Sequence, residues 1–324
     1  MRLFYVQMRI VMTCPAPPGS RLGNRITASR WRGILRSLGH DVRIVDQFRR
    51  GPADLLIALH ARRSAPSVER FAERMPGKPI VVALTGTDLY RDIHTDASAQ
   101  RSLQLADALV VLQPAGIEAL PPSVRPKSRV IRQSAKLAHE RRRSTRNHLD
   151  FAFAAHVRPE KDPLTLIRAL SLLPTESKIR VLHAGRSLDD QLMQQLIAAE
   201  SSRYVWLGEL SQWKSRRLIA SCHGLVLTSL MEGGANVLSE AIVAKTPILS
   251  SRIDSSVAIL GRDYPGFFEV RDAEGLKNAL LRFEMEPEYR ARLETHVEKL
   301  APEVRPQREA ESWRELLATL TDSL

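Results

Sequence analysis

Two glutamates, Glu232 and Glu240, stand eight positions apart in the stretch LTSLMEGGANVLSEAIVAKTPILSS, residues 227–251. A short apolar strand leads into the first, Gly233 and Gly234 follow, and the second falls within a predicted helix. The start of that helix, through Ala235, Asn236, Val237 and Leu238, offers unpaired backbone N–H groups to an anion. Glycines allow close approach to the backbone, and carboxylates accept hydrogen bonds from sugar-type diols. A sugar nucleotide presents both kinds of group.

Three further loops carry chemistry, and each follows a predicted strand. His156-Val157-Arg158-Pro159-Glu160-Lys161-Asp162 concentrates cations. Lys161 suits a diphosphate as a compact point charge, with Arg158 and His156 as donors. Asp162 before Pro163 also reads as a helix cap, and one turn can serve both ends. Pro17–Arg25 holds Arg21, Gly23, Asn24 and Arg25 at a helix start; it lacks the GxGxxG of dinucleotide sites but can receive an anion. Leu84–Asp92 contains Thr85, Gly86 and Asp88, either a binding loop or a turn held by the Asp side chain. Asp189-Asp190 reads as helix N-terminal charge. HExxH, paired CxxC, strand-end DxD, GxSxG and Cys/His pairings are all missing from the sequence, which argues against metal and acyl-transfer chemistry.

The elements that must position these loops alternate in type. Arg9–Thr13, Asp41–Val45, Ala53–Leu59, Pro79–Leu84 and Ala108–Leu112 are apolar runs separated by helical patterns. In the first of these patterns Thr27, Trp31, Ile34, Leu35 and Leu38 share a face, and Gly39 ends it. The rhythm restarts with strands over 150–155 and 179–184 and helices over 164–173 and 191–199. Runs at 204–207, 218–221, 225–230 and 248–250 continue it. Two doubly wound parallel sheets follow, with a boundary near 135–150: an N-terminal domain over 1–145, a second over 146–304, and a C-terminal helix over 305–324 packing back on the first. On that last helix Trp313, Leu316, Leu317 and Leu320 share one face.

The chain has 324 residues, a length that favours two domains, and its 44% hydrophobic content is that of a globular protein. Cys14 and Cys222 are far apart and read as reduced, packed thiols. Neither a bilayer-spanning apolar run nor a signal-peptide pattern is visible, so a cytoplasmic location without membrane contact is expected. The net charge of +12 admits nucleic acid, membrane or small anions as partners. The densest basic run, over His139–Arg146, has no interleaved aromatics for base stacking and reads as a solvated connector rather than a nucleic-acid surface.

Glu232, Gly233 and Glu240, with the Lys161 segment and the returning helix bearing Trp313, resemble the GT-B glycosyltransferases with a Glu-x7-Glu motif along nearly the full chain. The resemblance implies the GT-B fold: two Rossmann-like domains with an interdomain cleft. It implies that Glu232 meets the donor sugar hydroxyls, Glu240 the ribose diol, Lys161 the diphosphate, and the amides of Gly234–Leu238 the distal phosphate. By analogy Arg186, Glu209 and Leu210 lie near the base.

The chain departs from that family where His156 replaces Arg, Thr85 replaces His, and Lys245 replaces Gly at the end of the motif helix. With GSRLGNRITASRWRGILRSLGH, LTGTDLYRD and AAHVRPEKDPL, these departures resemble the selenosugar synthases of selenoneine biosynthesis. Those enzymes couple a UDP-sugar, typically UDP-N-acetylglucosamine, to selenophosphate with loss of UDP and phosphate, and without a metal. On that resemblance Arg21, Gly23, Asn24, Arg25, Thr85, Gly86 and Asp88 face the acceptor. A transferase acting on hydroxyls, a sugar-nucleotide epimerase and a basic nucleic-acid-binding protein remain as rival readings. The oligomeric state is open.

Overall fold

The protein is represented by a computed structural model that describes residues 7–138 and 147–321. The basic run over 139–146 lies outside the described residues.

Two six-stranded, wholly parallel sheets carry the fold. The first is ordered β2 (Asp41–Val45), β1 (Arg9–Thr13), β3 (Leu55–Leu59), β4 (Ile80–Leu84), β5 (Ala108–Val111) and β6 (Ser128–Val130). The second is ordered β12 (Phe267–Phe268), β11 (Ile248–Ser251), β10 (Gly224–Leu227), β7 (Leu149–Ala154), β8 (Ile179–Ala184) and β9 (Tyr204–Trp206). Central strands of parallel sheets are covered on both faces, so they need continuous apolar sequence. The five residues of β3 (LLIAL) and of β4 (IVVAL) are all buried. At the sheet edge β2 reads DVRIV and leaves Asp41 and Arg43 exposed.

Each sheet grows in one direction and then in the other. The reversal lies between β1 and β3 in the first sheet and between β7 and β10 in the second. In open parallel sheets the carboxyl ends of strands at such a reversal form a crevice for ligands.

The chain divides into a unit of Met1–Gln133 with Pro306–Leu324 and a unit of Ser134–Arg305. The helix Pro306–Thr321 completes the first unit. Its Trp313 meets Trp31 edge-on at 4.8 Å between ring centroids. Its buried Glu309 accepts the Trp31 indole N–H at 2.7 Å and Arg30 Nε at 3.0 Å. Arg30 and Trp31 belong to the helix Gly23–Ser37, whose buried stripe is Thr27, Ala28, Trp31, Ile34 and Leu35.

Several local expectations change. The run over 218–221 is the end of the helix Gln212–Ser221 and not a separate element. Two strands, β6 and β12, are too short to give an alternation signal. Asp162 precedes its helix as expected, but with φ 42° it is left-handed, and its carboxylate accepts from Thr165 Oγ1 (2.7 Å) instead of a backbone N–H. Lys245 keeps the left-handed conformation that the family serves with glycine, at φ 56°. Cys14 and Cys222 are buried free thiols.

Candidate active site

In the second unit the reversal brings together the turn after β7 and the turn after β10. Leu230 N–H donates to Glu160 O (2.9 Å), and Thr228 Oγ1 donates to Lys161 O (2.7 Å), so the two turns are stitched through backbone atoms. Lys161 and Glu232 then meet as an ion pair whose side chains are only 12% and 9% exposed. Ser229 Oγ donates to the same Glu232 oxygen at 2.7 Å. The Ser229 carbonyl is held in turn by Ser251 Oγ from the end of β11, also at 2.7 Å. A carboxylate so placed has one orientation.

Burial disfavours the charged form of Glu232. The Lys161 ammonium, hydrogen bonds from Lys161 and Ser229, and the Arg158 guanidinium outweigh burial and hold the carboxyl below its ordinary value. Glu232 is therefore an anion and a pure acceptor at neutral pH. Beyond it the helix Asn236–Val243 begins at Ala235 with no side-chain cap, and of its first-turn amides Leu238 N–H donates to the Ala235 carbonyl at 3.0 Å. Gly233 is buried and Gly234 half-buried in the approach to that helix. Glu240, on the same helix, pairs with Arg216 Nε at 3.3 Å.

A second layer lies under the turn after β7. Arg186 N–H donates to His156 Nδ1 (3.1 Å), which leaves the ring proton on Nε2 of the neutral imidazole. The approach requires Gly185, because a Cβ there would stand 1.8 Å from Ala155 O. Beneath it His183 is fully buried, with Nε2 against Ala155 O (2.8 Å) and Nδ1 against the Tyr204 hydroxyl (2.5 Å). Burial, opposed by the Ala155 bond and assisted by His156, drives His183 down to about 4. Gly185 N–H also donates to Gly208 O (2.9 Å), which puts the turns bearing Arg186 and Leu210 side by side. Arg186 is exposed and Leu210 half-buried.

The first unit treats its expected residues differently. Gly23, Asn24 and Arg25 form the first turn of the helix Gly23–Ser37, behind Leu22, which makes no side-chain cap. The Arg25 guanidinium lies beside the buried Cys14 thiol, which burial raises and Arg25 partly restores. Arg21 is exposed in the preceding loop. Asp88 requires a correction. It is fully buried, and its carboxylate accepts from Ala61 N (2.9 Å), Thr85 N (3.2 Å) and Gly86 N (2.9 Å). Asp88 therefore ties the turn after β3 to the turn after β4 and serves as the carboxylate that holds the turn.

Sequence reading missed Ser251 and Arg216, whose partners are distant in the chain, and Ser229, whose hydroxyl meets Glu232 three positions on. It also missed His60, Arg62 and Asp92, which the first unit gathers around the Asp88 turn.

Solved structures share this architecture. The sucrose-phosphate synthase of Thermosynechococcus elongatus is 14% identical, with TM-score 0.80 over 98% of this chain and 100% of that one. HepE of Anabaena, in complex with UDP and glucose, is 15% identical, with TM-score 0.75 over 97% and 100%. An α,α-trehalose-phosphate synthase (UDP-forming) from Burkholderia xenovorans, with glucose-6-phosphate, is 12% identical, with TM-score 0.68 over 93% and 80%. Identities this low establish the fold, which is GT-B. The family profile of the glycosyl transferases group 1 matches residues 136–300, just over half of the chain and nearly all of the second unit. The chain therefore belongs to the glycosyl transferases group 1 family.

Proposed function

We propose that the protein moves a sugar from a UDP-sugar, of which UDP-N-acetylglucosamine is the leading candidate, to selenophosphate. Selenium forms a bond to the anomeric carbon as the bond from that carbon to UDP oxygen breaks. Hydrolysis of the phosphorus–selenium bond by water then releases phosphate and leaves the selenosugar. In this reading the second unit binds the donor and the first supplies the acceptor.

The observation that carries the donor assignment is the buried Lys161–Glu232 pair at the reversal of the second sheet. It places a cation suited to a diphosphate against an ionised acceptor suited to sugar hydroxyls. HepE, with the same fold, has been solved with UDP and with UDP-glucose. Catalysis would rest on positioning and on neutralising the departing diphosphate with Lys161, the His156 Nε2–H and the amides at the start of the helix Asn236–Val243. No step in this scheme needs a metal ion.

The acceptor assignment is supported by Thr85, which stands where the resembling family has His. A hydroxyl acceptor needs a general base at neutral pH; selenophosphate is already an anionic nucleophile. The test is UDP release with UDP-N-acetylglucosamine in the presence of selenophosphate, of simple alcohols, or of no acceptor. UDP release that depends on selenophosphate, with a product mass showing a carbon–selenium bond, is expected. Release stimulated by alcohols alone would overturn the acceptor assignment, and epimerised sugar nucleotide without UDP would overturn the transferase reading.

A further inference from the structure

The first sheet reverses between β1 and β3, and β3 ends at Leu59. The next residue, His60, has φ 73°. A left-handed conformation costs a residue with a Cβ roughly 1–2 kcal/mol, and such strain kept at a strand end is a recurrent mark of function. The ring is 3% exposed. Its Nδ1 receives Arg63 N–H at 3.4 Å, so Nε2 carries the proton. That Nε2 has no hydrogen-bond partner and stands 3.8 Å from Asp92 Oδ2.

Asp92 is itself buried and holds two guanidinium groups, one on each carboxylate oxygen. Arg62 Nε lies 2.9 Å from Oδ2 and Arg91 Nε 3.1 Å from Oδ1. The arginines come from different turns, after β3 and after β4, and are half-exposed. Arg91 Nε donates to Asp92 Oδ1, whereas Arg62 Nε meets Oδ2 as an ion pair without a hydrogen bond, and neither guanidinium has another hydrogen-bond partner among the described residues. Held through Nε, each keeps terminal N–H groups that match the oxygens of a tetrahedral anion. At the end of β4, Thr85 Oγ1 is a second buried polar atom without a partner.

The groups facing this point are the guanidinium groups of Arg62, Arg63 and Arg91 and the carboxylates of Asp88 and Asp92. Both carboxylates are engaged, Asp88 by three backbone amides and Asp92 by two arginines. His60 is held neutral, because burial and the nearby arginines outweigh the two aspartates. Three cations against two anions leave an excess positive charge at the carboxyl ends of β3 and β4, beside two unpartnered donors.

We propose that Arg62 and Arg91, tethered by Asp92 and flanked by His60 and Thr85, bind the phosphoryl group of an anionic acceptor. The identification of that acceptor as selenophosphate rests on the function proposed above; the binding of a phosphoryl oxyanion does not.

The experiment uses the full chain with Arg62→Gln, Arg91→Gln and the conservative Arg91→Lys. Inorganic phosphate is the equilibrium probe, and UDP binding and thermal melting report folding. Wild-type protein is expected to bind phosphate, with competition against selenophosphate in turnover. Both Gln variants should weaken phosphate binding and raise the KM for selenophosphate by 10- to 100-fold, with UDP affinity unchanged and part of the loss recovered in Arg91→Lys. Folded Gln variants with wild-type phosphate affinity would overturn the site, as would wild-type protein that binds no phosphate. Should selenophosphate fail to stimulate UDP release, the proposed function falls, while phosphate titration of the same variants still decides the site.

Discussion

At the carboxyl ends of β7 and β10 a lysine and a glutamate pair with each other. At the carboxyl ends of β3 and β4 two arginines share one aspartate. The first occupies the reversal of its sheet, the second lies on the β4 side of β3, next to the reversal of its own, and both neutralise charge internally. They differ in what they leave over. The first pair uses one cation and one anion and sits almost wholly out of water, which in the proposed function suits a ligand carrying both hydroxyls and phosphate. The second keeps an excess of guanidinium groups and two unpartnered donors, Nε2 of His60 and Oγ1 of Thr85, and so favours an anion alone. Both clusters lie at the carboxyl ends of parallel strands; they differ in how their charges pair.

The sharpest break in this comparison comes from the lysine. Lys161→Met leaves the Glu232 carboxylate buried without its cation, and breaking such a pair typically costs about 3–5 kcal/mol. Denaturant titration should show that loss, with turnover reduced by at least about 100-fold. Glu232→Ala should abolish turnover at every donor concentration while keeping phosphate binding, because its cluster is not the anion cluster. An active Glu232→Ala enzyme would remove the donor site from the second unit.

Acid separates the two regions next. His183 folds with its value lowered, so as pH falls the unfolded chain takes up the proton first. Its stabilising contribution is complete above about 6.5 and is lost as pH falls toward about 4. The loss across that window amounts to roughly 3 kcal/mol. Glu232 acts below that range: its contribution is present above the ordinary carboxylate value and disappears as pH falls through the depressed one. Urea midpoints of wild type and His183→Gln between pH 8 and 4 should show a flatter profile in the variant. The remaining slope includes His60, which burial also lowers in the first unit.

A smaller effect tests the loop staple of the first unit. Asp88→Asn keeps the side-chain size but weakens three charge-assisted bonds, for an expected cost of about 1–3 kcal/mol. The KM for selenophosphate should rise with it, because the turns bearing Arg62 and Arg91 lose their tie. The smallest is Lys245→Gly, where relief of the left-handed strain (roughly 1–2 kcal/mol) is partly offset by the chain entropy of glycine. A gain below about 1 kcal/mol in the urea midpoint is expected.

Much of the Lys161–Glu232 cluster was legible in the sequence because its residues follow strands directly and carry charge. Lys161, Glu232 and the helix after Gly234 are neighbours of apolar runs, and the βαβ rule places their turns together at a sheet reversal. What stayed hidden depends on partners far along the chain. Nothing near Asp88 announces that its carboxylate reaches the Ala61 amide, and nothing near Arg62 announces Asp92. Nothing near Arg216 announces Glu240, 24 positions on, which it meets only when their two helices pack. The edge strands β6 and β12 were missed because two or three residues carry no periodicity.

The first unit has one more property, set by the order of the chain and not by its chemistry. Its sheet is built from the first 133 residues, but the helix that covers Trp31 spans Pro306–Thr321. During synthesis the second unit, contiguous over 134–305, is complete while Trp31, Arg30 and the rest of that apolar face still await Trp313 and Glu309. The usual order, in which the N-terminal domain is finished first, is inverted here. A released chain truncated after Arg305 should present a protected second unit and a protease-sensitive first one.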